Sequence, residues 1–399
     1  MTRKTKVLSL AAVVNVCRLL MAATFIFSGF VKANDPLGTV YKLEDYISAM
    51  AWFTLPDTFL LACAVLLAVF EFMMGVYLLL GQNKKGASVL ALAFMVVMTL
   101  LTIYIVIANP VSDCGCFGDV LILSNGATLA KNIVLLAAAV MVCRYHRWMK
   151  DFLPLSVKLF MAFMALCSII GYAIYCIVCL PALDFRPYKV GTDLRAAVAR
   201  TETQPQFEVS IIYEKDGQTL ELTAEDGDPD STWTYVETRR TPLATTDLAT
   251  ADFYVSDLND EDITEDILLA DGYTFLLIIP DLMNADEGCI DKVNEVYDYS
   301  QDNGIGFYCL TASASTEAQH YWSDHTGAEY GYSLAEERML KTVVRGNPGL
   351  VLLHDGSIVK KWSNFNLPDD TELKALNIHN SDDSDYPDDS EHSEKNTIQ

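Results

Sequence analysis

The sequence predicts an α-helical membrane bundle of about five transmembrane helices, followed by an α/β extracytoplasmic domain. Of the 399 residues, 51% are hydrophobic, and nearly all of that excess lies before residue 182, whereas nearly all of the charge lies after it. This asymmetry indicates two units in different solvents. From about residue 250, short apolar runs alternate with segments of helical periodicity, a pattern typical of an α/β domain.

Five apolar stretches are long enough to cross a bilayer, which takes about 20 residues of helix. The first is too long for the core of a signal peptide and no small-residue cleavage site follows it, so we expect it to be retained. The five stretches span residues 7–31, 59–80, 87–108, 128–143 and 155–180.

Lys and Arg placement predicts the orientation, because cytoplasmic loops carry an excess of both residues. Basic residues cluster at the N-terminus, between the second and third spans, and between the fourth and fifth. With five spans these segments share one side, so the N-terminus is expected in the cytoplasm. The connections 32–57 and 109–127 and everything after the fifth span are then extracytoplasmic.

The net charge of -24 comes mostly from the second half. It argues against nucleic acid as a partner and against anionic lipid as a partner of the soluble part. The predicted organisation is a four-helix membrane domain, a fifth transmembrane helix, a β-rich connecting region, an α/β domain of order β-α-β-α-β-β, and a disordered acidic tail. These occupy residues 1–150, 151–182, 183–249, 250–375 and 376–399, and Ser333–Val344 is predicted to be a helix.

Two ionisable residues, Arg18 and Glu71, fall inside predicted spans. Charges at that depth are costly and normally pair with each other or face a cavity. A functional pair, a structural ion pair and an Arg18 that snorkels to the interface all fit the sequence.

The first half contains a set of motifs in and beside its predicted spans: Arg18-Leu-Leu, residues 25–32, Asp35-Pro36, Glu71 with Gly75, residues 113–119 (Asp-Cys-Gly-Cys-Phe-Gly-Asp) and Lys131-Asn132. With these motifs it resembles the DoxX/MauE superfamily of small membrane proteins over roughly residues 7–147, and the methylamine-utilisation MauE branch in particular. The resemblance implies a four-helix module of the bacterial inner membrane linked to periplasmic thiol-disulfide chemistry, similar in outline to quinone-linked disulfide-generating proteins.

The second half contains Asp252-Phe253, a predicted strand over 275–279 and Arg-Gly-Asn-Pro-Gly at residues 345–349. With these residues it resembles the membrane-associated, TlpA-like group of the thioredoxin-like fold, and Pro348 matches the proline of that family's cis-proline loop. The family's Cys-x-x-Cys should follow the first core strand, but residues 280–289 contain only Cys289. Because a dithiol oxidoreductase needs a resolving thiol, this domain looks degenerate as a disulfide exchanger.

Cys114 and Cys116 are the best chemical candidates. They lie in a predicted extracytoplasmic loop, where disulfides persist, and Gly115 allows a tight bend between them. A disulfide across one residue closes a small, strained ring, which favours a labile or catalytic bond. Reduced or purely structural cysteines are the alternatives, and two thiols without nearby histidines supply only half of a metal site.

Three further cysteines are secondary candidates. Cys176 and Cys179 share a helix face near the outer end of the fifth span, where they could relay oxidising equivalents or simply pack as small apolar residues. Cys289 lies at a predicted helix start, where the helix dipole lowers a thiol pKa.

The sequence therefore predicts a membrane-bound thiol-disulfide redox protein, a candidate oxidoreductase. Cys114 and Cys116 would exchange with a periplasmic thiol protein and pass electrons to a quinone, a cofactor that only the analogy to similar bundles suggests. A non-enzymatic membrane anchor that presents a degenerate thioredoxin-like binding domain is the alternative. A transporter is a weaker one, since it would need Arg18 and Glu71 to line a path.

Overall fold

The computed structural model describes residues 3–49, 55–108, 114–121, 123–151, 153–196, 253–376 and 378, together with three strands between residues 207 and 242. The chain separates into two compact units, Met1–Arg186 and Pro187–Gln399.

The first unit is a helical bundle, and its five predicted spans are confirmed. Among the described residues, five helices are long and apolar enough to cross a membrane, and large side chains such as Leu66, Ile107 and Phe160 point outwards, 63–79% exposed. Lipid is the solvent that such a surface suits. The helices are α1 (Arg3–Asn34), α2 (Pro36–Ala49), α3 (Asp57–Leu80), α4 (Lys84–Ala108), α5 (Asn125–Arg144) and α6 (Leu155–Cys179).

The connection 32–57, expected as a plain loop, contains α2. Pro36 opens this helix, where its missing N–H costs nothing, and Asp35 Oδ1 accepts a hydrogen bond from the Gly38 N–H at 2.9 Å. Helix α2 is only half-buried and mixes polar with apolar residues. It therefore has no long apolar run from which a helix could be predicted.

Helices α1 and α3 cross with their backbones almost in contact. A Cβ atom on Gly29 would lie 2.4 Å from the backbone N of Phe72, and one on Gly75 would lie 2.7 Å from the backbone N of Ile26. Small residues allow such close approach in membrane bundles.

Replacing Gly29 with alanine should therefore destabilise the bundle, by about 1–3 kcal/mol or more, because the added methyl meets backbone rather than a movable side chain. The matched control is Gly171→Ala on α6, where nothing lies within 4 Å of the new Cβ. Thermal unfolding of both variants in detergent checks this. Equal midpoints for the two would contradict the close crossing.

The second unit holds two separate sheets. The strands β1 (Phe207–Lys215), β2 (Gln218–Thr223) and β3 (Thr234–Pro242) form an antiparallel sheet of order β2-β1-β3. A six-stranded sheet with its helices follows. The elements are β4 (Val255–Ser256), α7 (Thr264–Leu268), β5 (Tyr273–Ile279), α8 (Ile290–Asp302), β6 (Gly306–Thr311), α9 (Thr316–Thr326), β7 (Tyr332–Ala335), α10 (Glu337–Val343), β8 (Gly349–His354), β9 (Ser357–Ser363) and α11 (Asp370–Leu376). The strand order in this sheet is β4-β7-β6-β5-β8-β9.

The six-stranded sheet has thioredoxin-like topology. Strand β5 is parallel to β6 across α8 and antiparallel to β8, which forms a hairpin with β9. Strand β5 lies in the middle and is buried from Thr274 onwards, and the core beside it includes Trp322 and Trp362. The predicted mixed α/β domain is confirmed.

The helix predicted over Ser333–Val344 is half wrong. Its first residues belong to β7, which pairs with β6 on one side and with β4 on the other, and the helix begins only at Glu337. Pairing with a neighbouring strand outweighs the weak local preference of four residues. The predicted tail 376–399 lies outside the described residues apart from Leu376 and Ile378.

Candidate functional site

Cys114 and Cys116 are joined by a disulfide in the short loop that precedes α5, with their Cα atoms 5.5 Å apart. Gly115 between them has φ +63°, a left-handed conformation that favours glycine. Residues 114–116 are half-buried, so the disulfide loop (residues 114–120) sits against the bundle.

Side chains of α1 and α2 bind the two cysteine carbonyls. The Cys116 carbonyl lies 3.0 Å from Lys32 Nζ and 2.8 Å from Ser28 Oγ, both on α1. The Cys114 carbonyl accepts a hydrogen bond from the Tyr46 hydroxyl of α2 at 3.0 Å. The loop is therefore fixed by polar contacts on both sides of the disulfide.

Lys32 and Glu71 form a buried ion pair beneath Cys116. Lys32 Nζ lies 2.8 Å from Glu71 Oε2, and the two side chains are 8% and 3% exposed. Lys32 also donates to Ser28 Oγ at 2.8 Å. Its three N–H groups therefore face three acceptors: Ser28 Oγ, Glu71 Oε2 and the Cys116 carbonyl. Ser28 Oγ itself lies 2.7 Å from Glu71 Oε2. The close crossing of α1 and α3 brings these groups together.

Arg18 is not the partner of Glu71, which rules out the functional and the structural version of an Arg18–Glu71 pair. Arg18 donates to the carbonyls of Lys150, at 2.8 Å, and Leu79, at 3.0 Å. It lies 14 positions before Lys32 on α1, about 21 Å along the helix. Arg18 therefore connects α1 to the end of α3 and to the α5–α6 connection at the opposite end of the bundle, and the cation beside Glu71 is Lys32.

Lys131, half-buried on α5, completes the surroundings of the loop. Its Nζ lies 4.1 Å from the ring centroid of Phe117, the residue after Cys116, in a cation–π contact. Ser28, Lys32 and Tyr46 were missed as site residues. Ser28 and Lys32, spaced i, i+4 on an otherwise apolar helix face, gave a signal that Glu71 had a partner on α1.

Cys176 and Cys179 on α6 are both free thiols in different surroundings. Cys176 is buried, whereas Cys179 is exposed. They therefore do not form one uniform packing face, and the relay of oxidising equivalents through them stays a prediction.

Cys289 lies between β5 and α8, where a thioredoxin-like active site would lie. It is 7% exposed, and its thiol donates to the Asp286 carbonyl at 3.2 Å. Burial, followed by the nearby Asp286 carboxylate, raises the pKa of Cys289 to about 11, opposite to the lowering expected at a helix start. Burial also raises the pKa of Cys309, which lies in β6 and is fully buried.

The cis-proline loop is hydrogen-bonded to residues 281–286 of the same chain. The Asn347–Pro348 peptide bond is cis. The Asn347 carbonyl accepts a hydrogen bond from the Asp286 N–H at 2.8 Å, and the Asn347 side-chain amide donates to the Asp281 carbonyl at 2.8 Å. These backbone and side-chain groups are thus already bonded to residues 281–286.

Cys289 should accordingly react slowly with iodoacetamide at neutral pH. Only the thiolate reacts, and at a pKa of about 11 its population at pH 7 is about 300-fold below that of a free cysteine with a pKa near 8.5. The alkylation rate, followed by peptide mass mapping, should rise with pH until about pH 11. The Asp286→Asn variant should shift this profile to lower pH, and rapid labelling at pH 7 would contradict the buried, protonated thiol.

Among the described residues, no group of three or more His, Cys, Asp and Glu side chains could hold a metal ion. An open, largely apolar groove of about 830 Å³ lies at the α3–α4 turn, lined by residues such as Tyr77, Gln82 and Leu90. This is the Arg18 end of the bundle, and the groove is not lined by Ser28, Lys32, Tyr46 or Lys131, which contact the disulfide loop. The predicted quinone stays a prediction.

The fold and site together define a multi-pass membrane protein with a disulfide-bearing helical bundle and a thioredoxin-like domain. Residues 10–145 match the family model described as methylamine utilisation protein MauE, which confirms the resemblance of the membrane region. Residues 207–243 match a domain of unknown function (DUF8463), which covers the three-stranded sheet.

No curated protein matches the chain as a relative. A solution structure described as a proposed protein disulfide isomerase from Bacteroides thetaiotaomicron is 17% identical, covers 31% of this chain and 80% of its own, and gives a TM-score of 0.26. The thioredoxin-like topology is defined by the strand order and connections of the six-stranded sheet.

Proposed function

We propose that this chain is a membrane-bound thiol-disulfide redox protein, in which the Cys114–Cys116 disulfide accepts two electrons from a partner dithiol. The observation that carries the proposal is the disulfide itself, half-buried in a short loop and bonded through its backbone to the buried Lys32–Glu71 pair. Buried charges in membrane helices are costly, and they are retained mainly where they serve a site.

A purely structural role is a poor explanation for this disulfide. A cross-link stabilises a fold mainly by restricting the unfolded chain, and the effect grows with the enclosed loop. By that relation a loop of three residues gives about 1.5 kcal/mol, against about 3 kcal/mol for one of 15 residues. The loop is also already fixed by hydrogen bonds from Lys32, Ser28 and Tyr46.

The exchange proceeds without any further reagent. The partner's two thiols become a disulfide, the Cys114–Cys116 bond is broken, and the two protons that the partner loses end on Cys114 and Cys116. The Lys and Arg distribution favours an extracytoplasmic, periplasmic side for the loop, where partner disulfides persist. A quinone is the proposed acceptor that would reoxidise the pair.

A second candidate function is favoured by the thioredoxin-like domain. Cys289 is a buried thiol with a raised pKa, and Asp286 stands three residues before it, where a dithiol motif would have its first cysteine. This domain is therefore proposed to bind or hold a protein partner rather than exchange disulfides. The membrane bundle would then serve as its anchor.

The redox state of Cys114 and Cys116 in intact cells tests the proposed function. Thiols are trapped with acid and alkylated, and the loop peptide is mass-mapped. A pair that is oxidised at rest and becomes reduced when the quinone pool is reduced supports exchange. A pair that is always reduced, or oxidised under every condition, favours the anchor function.

A further inference from the structure

We infer that the two sulfurs of the disulfide have different roles: a partner thiolate attacks Cys114, Cys116 is the leaving group, and Lys32 is the positioning residue that sets this direction. The inference rests on the proposed exchange function. Thiol-disulfide exchange runs fastest when the departing thiolate is the better stabilised one, so the charges around each cysteine decide which sulfur is attacked.

Positive charge is placed unequally around the two cysteines. Lys32 Nζ lies 3.0 Å from the Cys116 carbonyl, and Lys131 Nζ lies 4.1 Å from the ring centroid of the next residue, Phe117. The Cys114 carbonyl is bound instead by the neutral Tyr46 hydroxyl. A cation near a cysteine stabilises its thiolate, so negative charge is accommodated better on Cys116 than on Cys114.

Lys42 and Glu71 also lie close to the loop. The aliphatic chain of Lys42 packs against Gly115, midway between the cysteines, with its Cγ 3.2 Å from the position of a built Cβ. Glu71 carries the opposing charge, but it reaches Cys116 only through Lys32 and Ser28, which both contact the Cys116 carbonyl directly. The cation of the pair is therefore the member in contact with Cys116.

Lys32 is held in place before the reaction. All three of its N–H groups have acceptors, and the side chain is 8% exposed, so the ammonium need not reorganise when charge develops nearby. Electrostatic stabilisation of this preorganised kind is most effective where water is excluded.

The exchange then has two balanced steps. In the first, a partner thiolate forms a bond to Cys114 Sγ, the Sγ–Sγ bond breaks, and its electron pair leaves on Cys116 as a thiolate. Cys116 is the cysteine whose carbonyl Lys32 contacts. In the second, the partner's other thiolate attacks the partner sulfur of this mixed disulfide and releases Cys114. The partner is oxidised by two electrons and the disulfide loop is reduced by two.

Glutathione tests the assignment on the full-length chain in detergent. The oxidised protein is mixed briefly with glutathione and quenched with acid, and mass mapping gives the share of glutathione on Cys114 and on Cys116. We expect a preference for Cys114 of about tenfold or more in the wild type. Lys32→Arg should keep this preference because it keeps the cation.

The decisive variant is Lys32→Met combined with Glu71→Leu, which removes both charges together and leaves no unpaired buried ion. It should bring the distribution towards equal shares and slow the first step. A purely structural role for Lys32 would leave the shares unchanged, and that result, or a wild-type preference for Cys116, overturns the inference. If the double variant does not fold, Lys131→Met gives a second reading, since it should reduce the preference, and an unchanged ratio overturns the inference.

This experiment separates the inference from the proposed function. The glutathione ratio depends only on the local chemistry, whereas the proposed function depends on cycling in cells. A Cys114 preference in a protein that does not cycle would overturn the function and keep the asymmetry. Cycling with equal shares would keep the function and overturn the role of Lys32.

Discussion

Truncating Glu71 to alanine is expected to destabilise the membrane unit by about 3–5 kcal/mol, because it leaves the Lys32 ammonium buried without its counter-charge. The pair has an N–O distance of 2.8 Å, and both side chains are less than 10% exposed. Ser28 would also lose the carboxylate that its hydroxyl contacts. Thermal unfolding of the full chain in detergent, monitored by circular dichroism, measures the effect.

The control for Glu71→Ala is the apolar double replacement Lys32→Met with Glu71→Leu. Exchanging a whole buried ion pair for apolar side chains of similar size is often neutral or stabilising, so the double variant should recover most of the lost stability. If the double variant were as unstable as the single one, side-chain packing and not charge would explain the loss. If Glu71→Ala unfolded like the wild type, the pair would not be buried as described.

Asp286→Cys is expected to give the thioredoxin-like domain a disulfide chemistry that it lacks. The new thiol would stand three residues before Cys289, the spacing of a Cys-x-x-Cys motif, beside the cis Asn347–Pro348 bond. The first thiol of such a motif can have a pKa of about 7, so about half of it would be thiolate at pH 7, against about one part in 10⁴ for Cys289 at a pKa of about 11.

Insulin reduction in the presence of dithiothreitol measures this gain. The assay uses variants with Cys114 and Cys116 replaced by serine, so that the membrane disulfide does not contribute. Activity should rise above background with Asp286→Cys and return to background when Cys289→Ser is added. Asp286→Asn is the matched control for the lost charge. Equal activity of Asp286→Cys and Asp286→Asn would show that the site no longer has the geometry of a dithiol centre.

The membrane spans and the α/β domain could be predicted because their sequence signals are long or repeated. The length and composition of the five apolar stretches were enough to predict the spans. The alternation of apolar runs with segments of helical periodicity after residue 250 was enough to predict the α/β domain. Residues 333–335 were misassigned because the four residues of β7 carry little local preference, and pairing with β6 decides their conformation. Helix α2 was missed for a similar reason, since half-buried helices lack a continuous apolar run.

The candidate site was only partly predictable from the sequence. Cys114 and Cys116 were evident from their spacing, and Glu71 from its position inside a span. Its partner depended on which turns of α1 and α3 meet, and that is set by the close approach at Gly29 and Gly75. Burial of Cys289 was likewise a tertiary property, and it reversed the pKa shift that its place at a helix start suggested.

The length of α5 has a consequence for where this protein can work. The span Asn125–Arg144 has 20 residues, whereas the other four have 24 or 25. At 1.5 Å per residue α5 is about 30 Å long, which just matches a typical hydrocarbon core, and the others reach about 36 Å or more. The disulfide loop precedes the start of this shortest span. A thicker bilayer would therefore draw the loop towards the lipid headgroups, and hydrophobic mismatch would limit its access to water-soluble thiols.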